Sequence, residues 1–452
     1  MNQKPLLIDP GQSLNKQIMV LAGPAILEML MHTLVWTADT AMIGRLTPAD
    51  IAAVNLGAHM MFTIAAVFGA IGIGATAMVA RSVGAGEVNR ARQTASQAVG
   101  LSVLIAMLIA TGGILIARNL FEWLVDDPLV ISRGSEYMRI VYIGAYFLIP
   151  QMVGNAIIRG SGNTFVPFLS AAVANVFNIA GDYVLIFGKL GFPAMGTRGA
   201  AIATGTAQIL GAAVTFYFLF RRSELVRIRF RYLFSFDKVQ VANLVRLSIP
   251  AGLEITMNEG SRLISSLWIA QLGTVAYAAH SLAVAGESVS FMPGYGFAVA
   301  AATLVGQRLG AGLPVEADRS VNRSVLFAAT LMGVVGIFFF TMPRQIMRLL
   351  SNSPEAVYWA AKSIRIGAFE QVPIAVAMVF SGALKGAGDT AGPFRISLIT
   401  NLCVRLPLIY LAVFVFRMSL TMIWMISVLQ YMIEACLMYG RYKKSGWKKI
   451  II

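Results

Sequence analysis

Residues 159–168 read RGSGNTFVPF, and residues 385–394 read KGAGDTAGPF. The two stretches lie 226 positions apart. The same offset aligns Pro24 with Pro250, so the two copies align without a gap from these prolines to the quoted motifs. In a membrane protein, an internal repeat of this length is typical of two similar halves built around a central path. The sequence therefore predicts a duplicated architecture.

The composition indicates that the chain lies in a membrane. Hydrophobic residues make up 57% of the sequence, charged residues only 13%, and the mean hydropathy is +0.73, which excludes an ordinary soluble domain. Apolar runs long enough to cross about 30 Å of hydrocarbon number roughly 12. We therefore expect an all-α integral membrane protein with about 12 transmembrane helices in two pseudo-symmetric six-helix lobes.

The repeat and the charges divide the chain into three parts. We expect a first lobe over residues 1–220, a basic loop over residues 221–241 and a second lobe over residues 242–452. Lys and Arg are concentrated on the side of the helices that holds both termini, so the positive-inside rule predicts cytoplasmic termini in the cell membrane. The first apolar run is too long for a cleaved signal peptide and lacks a small-residue cleavage site, so it should remain as helix 1.

The net charge of +15 does not indicate a nucleic-acid partner, because the basic residues form short groups between apolar runs rather than a domain. The most basic interior segment is RRSELVRIRFRYLFSFDK over residues 221–238. It reads most simply as a topology determinant lying against anionic lipid headgroups. The chain is expected to act as a monomer in the bilayer.

No motif predicts an enzyme or a bound cofactor. Cys403 and Cys436 both fall in apolar runs, the three histidines have no metal-ligand spacing, and the sequence contains no phosphate-binding loop or nucleophile elbow. If the chain carries out active transport, its energy must come from an ion gradient.

Polar residues form stripes in two predicted helices of the first lobe. Helix 5 has three at positions i, i+3 and i+7, and helix 1 has three within about 40° of one line along the helix; they are Asn175, Asn178 and Asp182, and Glu28, His32 and Asp39. If the stripes face each other, Asp39 and Asp182 form a buried carboxylate pair that can bind a proton. With Asn178 and Thr204 of helix 6, the same oxygens suit a partly dehydrated Na+.

The acids of the two copies differ. The offset places Ser265 opposite Asp39 and Leu408 opposite Asp182. The second lobe instead has intramembrane charges of mixed sign, namely Glu254, Glu259, Arg262, Glu370 and Arg405. Because its acids have basic residues available as partners, we expect the unpaired acids, and hence ion coupling, in the first lobe.

Several of these residues have a structural alternative. Asp39 can be a solvated charge near the outer end of helix 1, and Asn175, which matches Asn401, can serve helix packing. His32 is also suited to packing, and Glu28, which matches Glu254, to a structural role. Pro24 interrupts helix 1 and is a candidate hinge.

The expected substrate cavity between the lobes is apolar. The chain has 23 Met, a side chain suited to promiscuous sites. Trp36 on helix 1 and Tyr142 and Tyr146 on helix 4 are candidate faces for a cationic substrate, with Glu28, His32 and Asn175 as polar candidates. Each aromatic residue also has a packing or interfacial interpretation.

In the order and spacing of its motifs, the chain resembles the multidrug and toxic compound extrusion (MATE) transporters over essentially its whole length. The shared segments are WTADTAMIGRL over residues 36–46, the GAG loops at residues 84–86 and 310–312, RGSGNT and KGAGDT, NVFNIAGDYVLIFG over residues 175–188 and GAAIAT over residues 199–204.

The resemblance implies a secondary antiporter that exports organic, often cationic, drugs in exchange for H+ or Na+ by alternating access. It implies a cation site at Asp39, Asn178, Asp182 and Thr204, with a bend at Pro24. The NorM-like branch adds acids in helices 7 and 10. Here Ile374 or a neighbour stands at the helix 10 position and Glu370 lies nearly one turn earlier. The chain is therefore more similar to the DinF-like branch, with Glu254 and Glu370 as secondary candidates. A lipid or lipid-linked-precursor flippase is the alternative.

Overall fold

The structure is a computed structural model that describes residues 12–450 and 452. Across those residues every regular element is helical and no β-strand is present. Twelve long helical segments follow one another along the chain: α1 Leu14–Ile43, α2 Pro48–Gly84, α3 Val88–Leu124, α4 Pro128–Gly160, α5 Phe165–Phe187, α6 Thr197–Arg222, α7 Lys238–Ala270, α8 Thr274–Ser288 with Phe291–Gly310, α9 Pro314–Thr341, α10 Pro354–Ala387, α11 Ala391–Val415 and α12 Leu420–Lys443. The predicted all-α membrane fold is confirmed.

The lengths of these segments match the thickness of a bilayer. Ten are long and apolar enough to cross a membrane, and α8, whose two parts meet at 43°, would be an eleventh. The remaining segment, α7, has 33 residues and includes five charged side chains between Lys238 and Arg262. At 1.5 Å per residue α7 is about 50 Å long, so it exceeds the hydrocarbon thickness.

Local chemistry sets where the helices begin and bend. Thr47 caps α2 through a capping box with Asp50, and Gly188 ends α5 in a left-handed conformation with φ of 66°. Pro24 and Pro250 lie inside α1 and α7, where each removes a backbone donor from the helix. Such positions are the usual places for a helix to bend.

Small residues allow the helices to approach closely. A Cβ atom added at Gly113 would lie 2.4 Å from the ring of Tyr142, and one added at Gly134 would lie 2.1 Å from the ring of Phe121. Both rings belong to the apolar core that α2, α3 and α4 share with α6. Glycine is therefore required where these aromatic side chains fill the space between helices.

The repeated motifs form the same local structure in both copies. Gly162 and Gly388, which are 226 positions apart, have φ of 97° and 95°, and Gly86 and Gly312 have φ of 76° and 77°. These positive values favour glycine. The duplication read from the sequence is therefore a duplication of backbone geometry.

The matching glycines also make matching helix contacts. A Cβ added at Gly160 would lie 2.8 Å from the backbone oxygen of Thr76, and one added at Gly386 would lie 2.2 Å from that of Ala302. Both pairs are related by the same offset of 226 positions. The contact between the second and fourth helices of each copy is thus repeated.

The chain divides into two compact units. One unit has the residues up to Ile26, Gly84–Gly86 and Leu253–Ile452, and the other has Leu27–Val83 and Glu87–Gly252. The divisions within α1 and α7 fall two residues after Pro24 and Pro250 respectively. The lobe boundaries predicted from the sequence stay a prediction.

Candidate functional site

The polar stripe on α5 is buried. Asp182 is 1% exposed and Asn178 is 5% exposed, because their spacing of four residues places both on one face of the helix. The Nδ2 atom of Asn178 donates to Oδ2 of Asp182 at 3.3 Å. The amide therefore holds one oxygen of the carboxyl group in place.

Asp39 on α1 lies beside Asp182, and the two carboxyl groups come within hydrogen-bonding range of each other. Asp39 Oδ1 and Asp182 Oδ1 are both buried, and neither receives a hydrogen bond from a donor within the described residues. Burial of this oxygen argues against the alternative that Asp39 is a solvated interfacial charge. Buried polar atoms normally have hydrogen-bond partners. These two oxygens are therefore suited to bind a proton or a metal cation.

Thr204 and Tyr137 complete this cluster. The Thr204 hydroxyl on α6 lies close to the Tyr137 phenol on α4, and Tyr137 is close enough to both aspartates for their charges to act on it. The four residues expected at a cation site are thus gathered with a tyrosine that sequence reasoning missed. No spacing rule distinguishes Tyr137 from other tyrosines, because its role depends on how α4 is rotated.

This cluster can bind a cation in two ways. One proton shared between the carboxyl groups would satisfy the facing oxygens, and a Na+ ion would find carboxylate, amide and hydroxyl oxygens, the hard ligands that it prefers. No described group of three or more His, Cys, Asp or Glu side chains has the arrangement of a metal site. The oxygens present suit a weakly held, exchangeable ion.

The other first-lobe candidates have different surroundings. Glu28 is buried in an ion pair with Arg159, whose Nη1 lies 3.0 Å from Oε1 of the glutamate. His32 is exposed, whereas Asn175 is buried and its Nδ2 has no acceptor within the described part of the chain. Pro24 lies in α1 one turn before Glu28.

Of the three aromatic candidates, one is a core residue. Tyr142 is 1% exposed and belongs to the apolar core, so it cannot present its ring to a substrate in this structure. The hydroxyl of Tyr146 lies 2.8 Å from that of Thr111. Trp36 is about half exposed and packs edge-to-face on His59, with ring centroids 5.8 Å apart. Trp36 is the aromatic candidate with the most accessible surface.

The second lobe repeats the ion pair of the first. Nζ of Lys385 lies 2.8 Å from Oε1 of Glu254, and these residues stand 226 positions after Arg159 and Glu28. Both glutamates are buried, and one partner of each pair lies in the motif quoted at the start. The matching ion pairs support the structural interpretation of Glu28 and Glu254.

A second buried carboxyl pair lies in the second lobe. Glu287 of α8 and Glu370 of α10 are within hydrogen-bonding range of each other, and Gln371 Nε2 donates to Glu287 at 3.5 Å. Glu370 Oε2 has no donor among the described residues, and neither glutamate forms an ion pair there. Arg262 and Arg405 lie close enough to act electrostatically on both glutamates. Glu287 is an acid that sequence reasoning missed.

Arg405 was expected to serve an acid across the lobe, and its charge acts on Glu287 and Glu370. Its hydrogen bonds go elsewhere: Nε donates to Ser265 at 3.4 Å and Nη1 to Gln430 at 3.3 Å. Ser265 and Gln430 stand 226 positions after Asp39 and Thr204. At the positions where the first copy gathers two acids, the second copy thus holds a cation.

The chain has two six-helix repeats with buried acids, and its described residues form no catalytic constellation. This arrangement is typical of a transporter. The MatE family model matches residues 24–184 and again residues 250–411, and this chain belongs to that family of multidrug efflux transporters. The two matches begin at Pro24 and Pro250, so they follow the internal repeat. The family is one of transporters rather than enzymes.

Individual relatives cover nearly the whole chain. A protein of Thermotoga maritima, named as a probable multidrug resistance protein NorM, is 29% identical over 440 residues, which are 96% of this chain and 94% of the relative. Crystal structures of a MATE protein in bent and straight conformations have TM-scores of 0.89 and 0.90 at 23% identity and cover 97% of this chain and 97% and 98% of theirs. These structures support the fold.

Proposed function

We propose that the chain is a secondary antiporter, which exports organic and often cationic compounds in exchange for H+ or Na+ by alternating access. The observation that carries this proposal is the buried pair of Asp39 and Asp182, which has unsatisfied oxygens and no basic partner within the described residues. Acids inside a membrane are costly to bury and usually have a function, and ion or proton pathways are among the functions they mark.

Coupling follows from competition for the same negative charge. A proton or Na+ that enters from outside neutralises Asp39 and Asp182, which removes their attraction for a cationic drug. The drug then leaves, and the ion is released on the other side after the transporter has changed state. An ion that binds the two states unequally shifts their populations by that difference, which is the thermodynamic basis of antiport.

Pro24 is the proposed hinge of this change. It lies four residues before Glu28, which Arg159 holds in place, so α1 has an anchored part that begins immediately after the proline. The bent and straight conformations named for a MATE protein of the same fold are consistent with bending at this position. In this chain, bending of α1 at Pro24 would follow neutralisation of Asp39.

The gathering of Asp39, Asn178, Asp182 and Thr204 favours the DinF-like branch, in which the coupling acids lie in the first lobe. The pair formed by Glu287 and Glu370 supplies a second set of acids that is closer to the NorM-like arrangement. We place the main coupling site in the first lobe because Arg262 and Arg405 act electrostatically on the second pair. The same proposal puts the chain in a bacterial cell membrane with cytoplasmic termini.

Efflux of a fluorescent cation from energised vesicles tests this function. Dissipating the proton gradient or the sodium gradient should abolish efflux, and Asp39→Asn should do the same at unchanged protein level. Glu259→Gln is the matched control, because Glu259 is an exposed acid whose only described ion pair, with Arg262, is 3.9 Å long. Efflux that continues without either gradient, and in Asp39→Asn, would show that the chain is not an ion-coupled antiporter.

A lipid flippase is the second candidate, and the observation that favours it is Arg405, which is held by Ser265 and Gln430. A basic side chain of this kind can bind a phosphate. Movement of a fluorescent phospholipid across proteoliposomes, lost in Arg405→Gln and kept in Asp39→Asn, is the result expected of a flippase. The antiporter predicts the reverse pattern in drug efflux.

A further inference from the structure

The loop between the two copies folds into a basic pocket. A cavity of about 660 Å³ is lined by four arginines and the rings of Phe220 and Phe230; the arginines are Arg92, Arg221, Arg227 and Arg229. The two rings stack with centroids 5.0 Å apart and planes inclined by 15°. We call this site the loop pocket.

The backbone of the loop is fixed from both sides. Ile228 N donates to Leu219 O at 3.0 Å, and Arg229 N donates to Ser96 Oγ of α3 at 3.1 Å. Further along, Gln97 Nε2 donates to Ser235 O at 2.7 Å. The positive-inside rule depends on charge alone. A loop that only determined topology would therefore not need these hydrogen bonds to α3 and α6.

Close packing holds the end of the loop on α3. A Cβ atom added at Gly100 would lie 1.7 Å from the backbone oxygen of Leu233, so the chain rests directly on the helix at a position where only glycine fits. Val226 and Ile228 are buried on the inner side of the segment. Alternation then places the side chains of Arg227 and Arg229 on the outer side.

The four arginines gather without acidic partners. None of them forms an ion pair with a carboxylate in the described residues, and the side chains of Arg221 and Arg229 have no described hydrogen bond there. Arg92 and Arg227 donate to the backbone oxygens of Glu224 and Phe220. Like charges held together repel, so the pocket is suited to an anion, and arginine is suited to phosphate in particular.

The aromatic residues indicate where the anion comes from. Phe230 is 76% exposed and Phe234 is 57% exposed. A site for soluble phosphate would not require this exposed apolar surface. Exposed rings beside arginines are typical of segments that lie in the headgroup region of a membrane. The loop pocket also lies where α3 begins and α6 ends, which is the level of a membrane surface.

We infer that the loop pocket binds the phosphate of an anionic phospholipid, with Arg221, Arg227 and Arg229 around the headgroup and the stacked rings of Phe220 and Phe230 against its glycerol and upper acyl chain. A bound lipid would tie the connection between the two copies to the bilayer. Binding at this site is separate from drug export, because neither Asp39 nor Asp182 belongs to it.

Native mass spectrometry of the full-length protein in a neutral detergent tests the inference. Short-chain phosphatidylglycerol is titrated into the wild type and into Arg221→Gln combined with Arg229→Gln. These two side chains form no described hydrogen bond, so the loop anchors remain. At about 1 kcal/mol for each basic residue, phosphatidylglycerol should bind at least about tenfold more weakly to the variant.

Lys444→Gln combined with Lys449→Gln is the matched control, since it removes the same charge from the basic tail and should change binding by less than about twofold. Equal weakening in both variants, or none in the pocket variant, would overturn the inference. So would displacement of the lipid by an equal concentration of inorganic phosphate, because the pocket would then be a site for free phosphate. Arg221→Lys combined with Arg229→Lys keeps the charge but loses the planar guanidinium groups, so its affinity for phosphatidylglycerol should lie between those of the wild type and the glutamine variant.

Discussion

Asp39 and Asp182 share one cation in the proposed mechanism, so they should behave as a unit when they are mutated. Either Asp39→Asn or Asp182→Asn leaves a single carboxyl group and should reduce ion-driven efflux by at least about tenfold. The double variant should be no worse than the more impaired single variant, since residues that act together have strongly non-additive effects. The comparison uses initial efflux rates of the two single variants and the double variant at equal protein levels. Losses that multiply in the double variant would assign separate roles to the two acids.

Tyr137 is expected to position the cation site through Thr204. Tyr137→Phe removes the hydroxyl that lies close to Thr204 and to both aspartates and leaves the buried ring in place. Efflux should fall several-fold, and the concentration of coupling ion that gives half-maximal efflux should change. Tyr142→Phe is the control, because Tyr142 is buried in the same apolar core as Tyr137 but its hydroxyl has none of the cluster residues as a described neighbour. Equal effects in both variants would reduce Tyr137 to a packing residue.

The sequence predicted the residues of the first site better than those of the second. Asp39, Asn178 and Asp182 could be predicted because helical spacing places polar side chains on one face, and because the repeat shows that the acids lack mates. Glu287 and Glu370 also lie on different helices and also lack acids at the offset positions, so the repeat alone did not show that these two glutamates form a pair. Whether two helices turn such residues toward each other depends on packing, which spacing along one helix does not describe.

At the scale of helices, the ion pairs Glu28–Arg159 and Glu254–Lys385 should stabilise the two copies in the same way. Removing one partner of a buried ion pair costs about 3–5 kcal/mol, because the remaining charge is left unpaired. Glu28→Gln and Glu254→Gln should therefore each lower the melting temperature of the purified protein in detergent. Glu28→Gln combined with Arg159→Gln should lose less than the sum of the single changes.

Glu259→Gln is the control for this comparison, because its ion pair is long and exposed and such pairs contribute about 0–1 kcal/mol. A fall in melting temperature as large as that of Glu28→Gln would mean that any loss of charge in these helices destabilises the fold. The motif with which the sequence was first read supplies Arg159 and Lys385. The duplicated motif predicted that the two copies have similar structures. It did not predict that Arg159 and Lys385 pair with Glu28 and Glu254, because those contacts depend on how the helices pack.

Across the whole molecule, the duplication and the charge asymmetry have different consequences. The repeat fixes the backbone, as the matching φ values of Gly162 and Gly388 indicate. In the proposed mechanism, function depends on where the copies differ, with two acids near Thr204 in one and Arg405 beside Gln430 in the other. A duplicated scaffold can thus place a cation-attracting cluster and a cationic cluster at corresponding positions, so that the two lobes respond differently to the same ion.

The proposed orientation of the chain in the membrane rests on its charges and can be tested directly. The chain has two cysteines, Cys403 and Cys436, both exposed, and replacing both with serine allows single cysteines to be introduced. Lys444→Cys, next to the end of α12, should react with a membrane-impermeant maleimide only after the cells are permeabilised. Leu190→Cys, in the exposed loop between α5 and α6, should react in intact cells, because an odd number of crossings separates it from the cytoplasmic end of α1. The opposite pattern would place the basic loop and the termini outside, and would reverse the direction of the proposed ion-driven export.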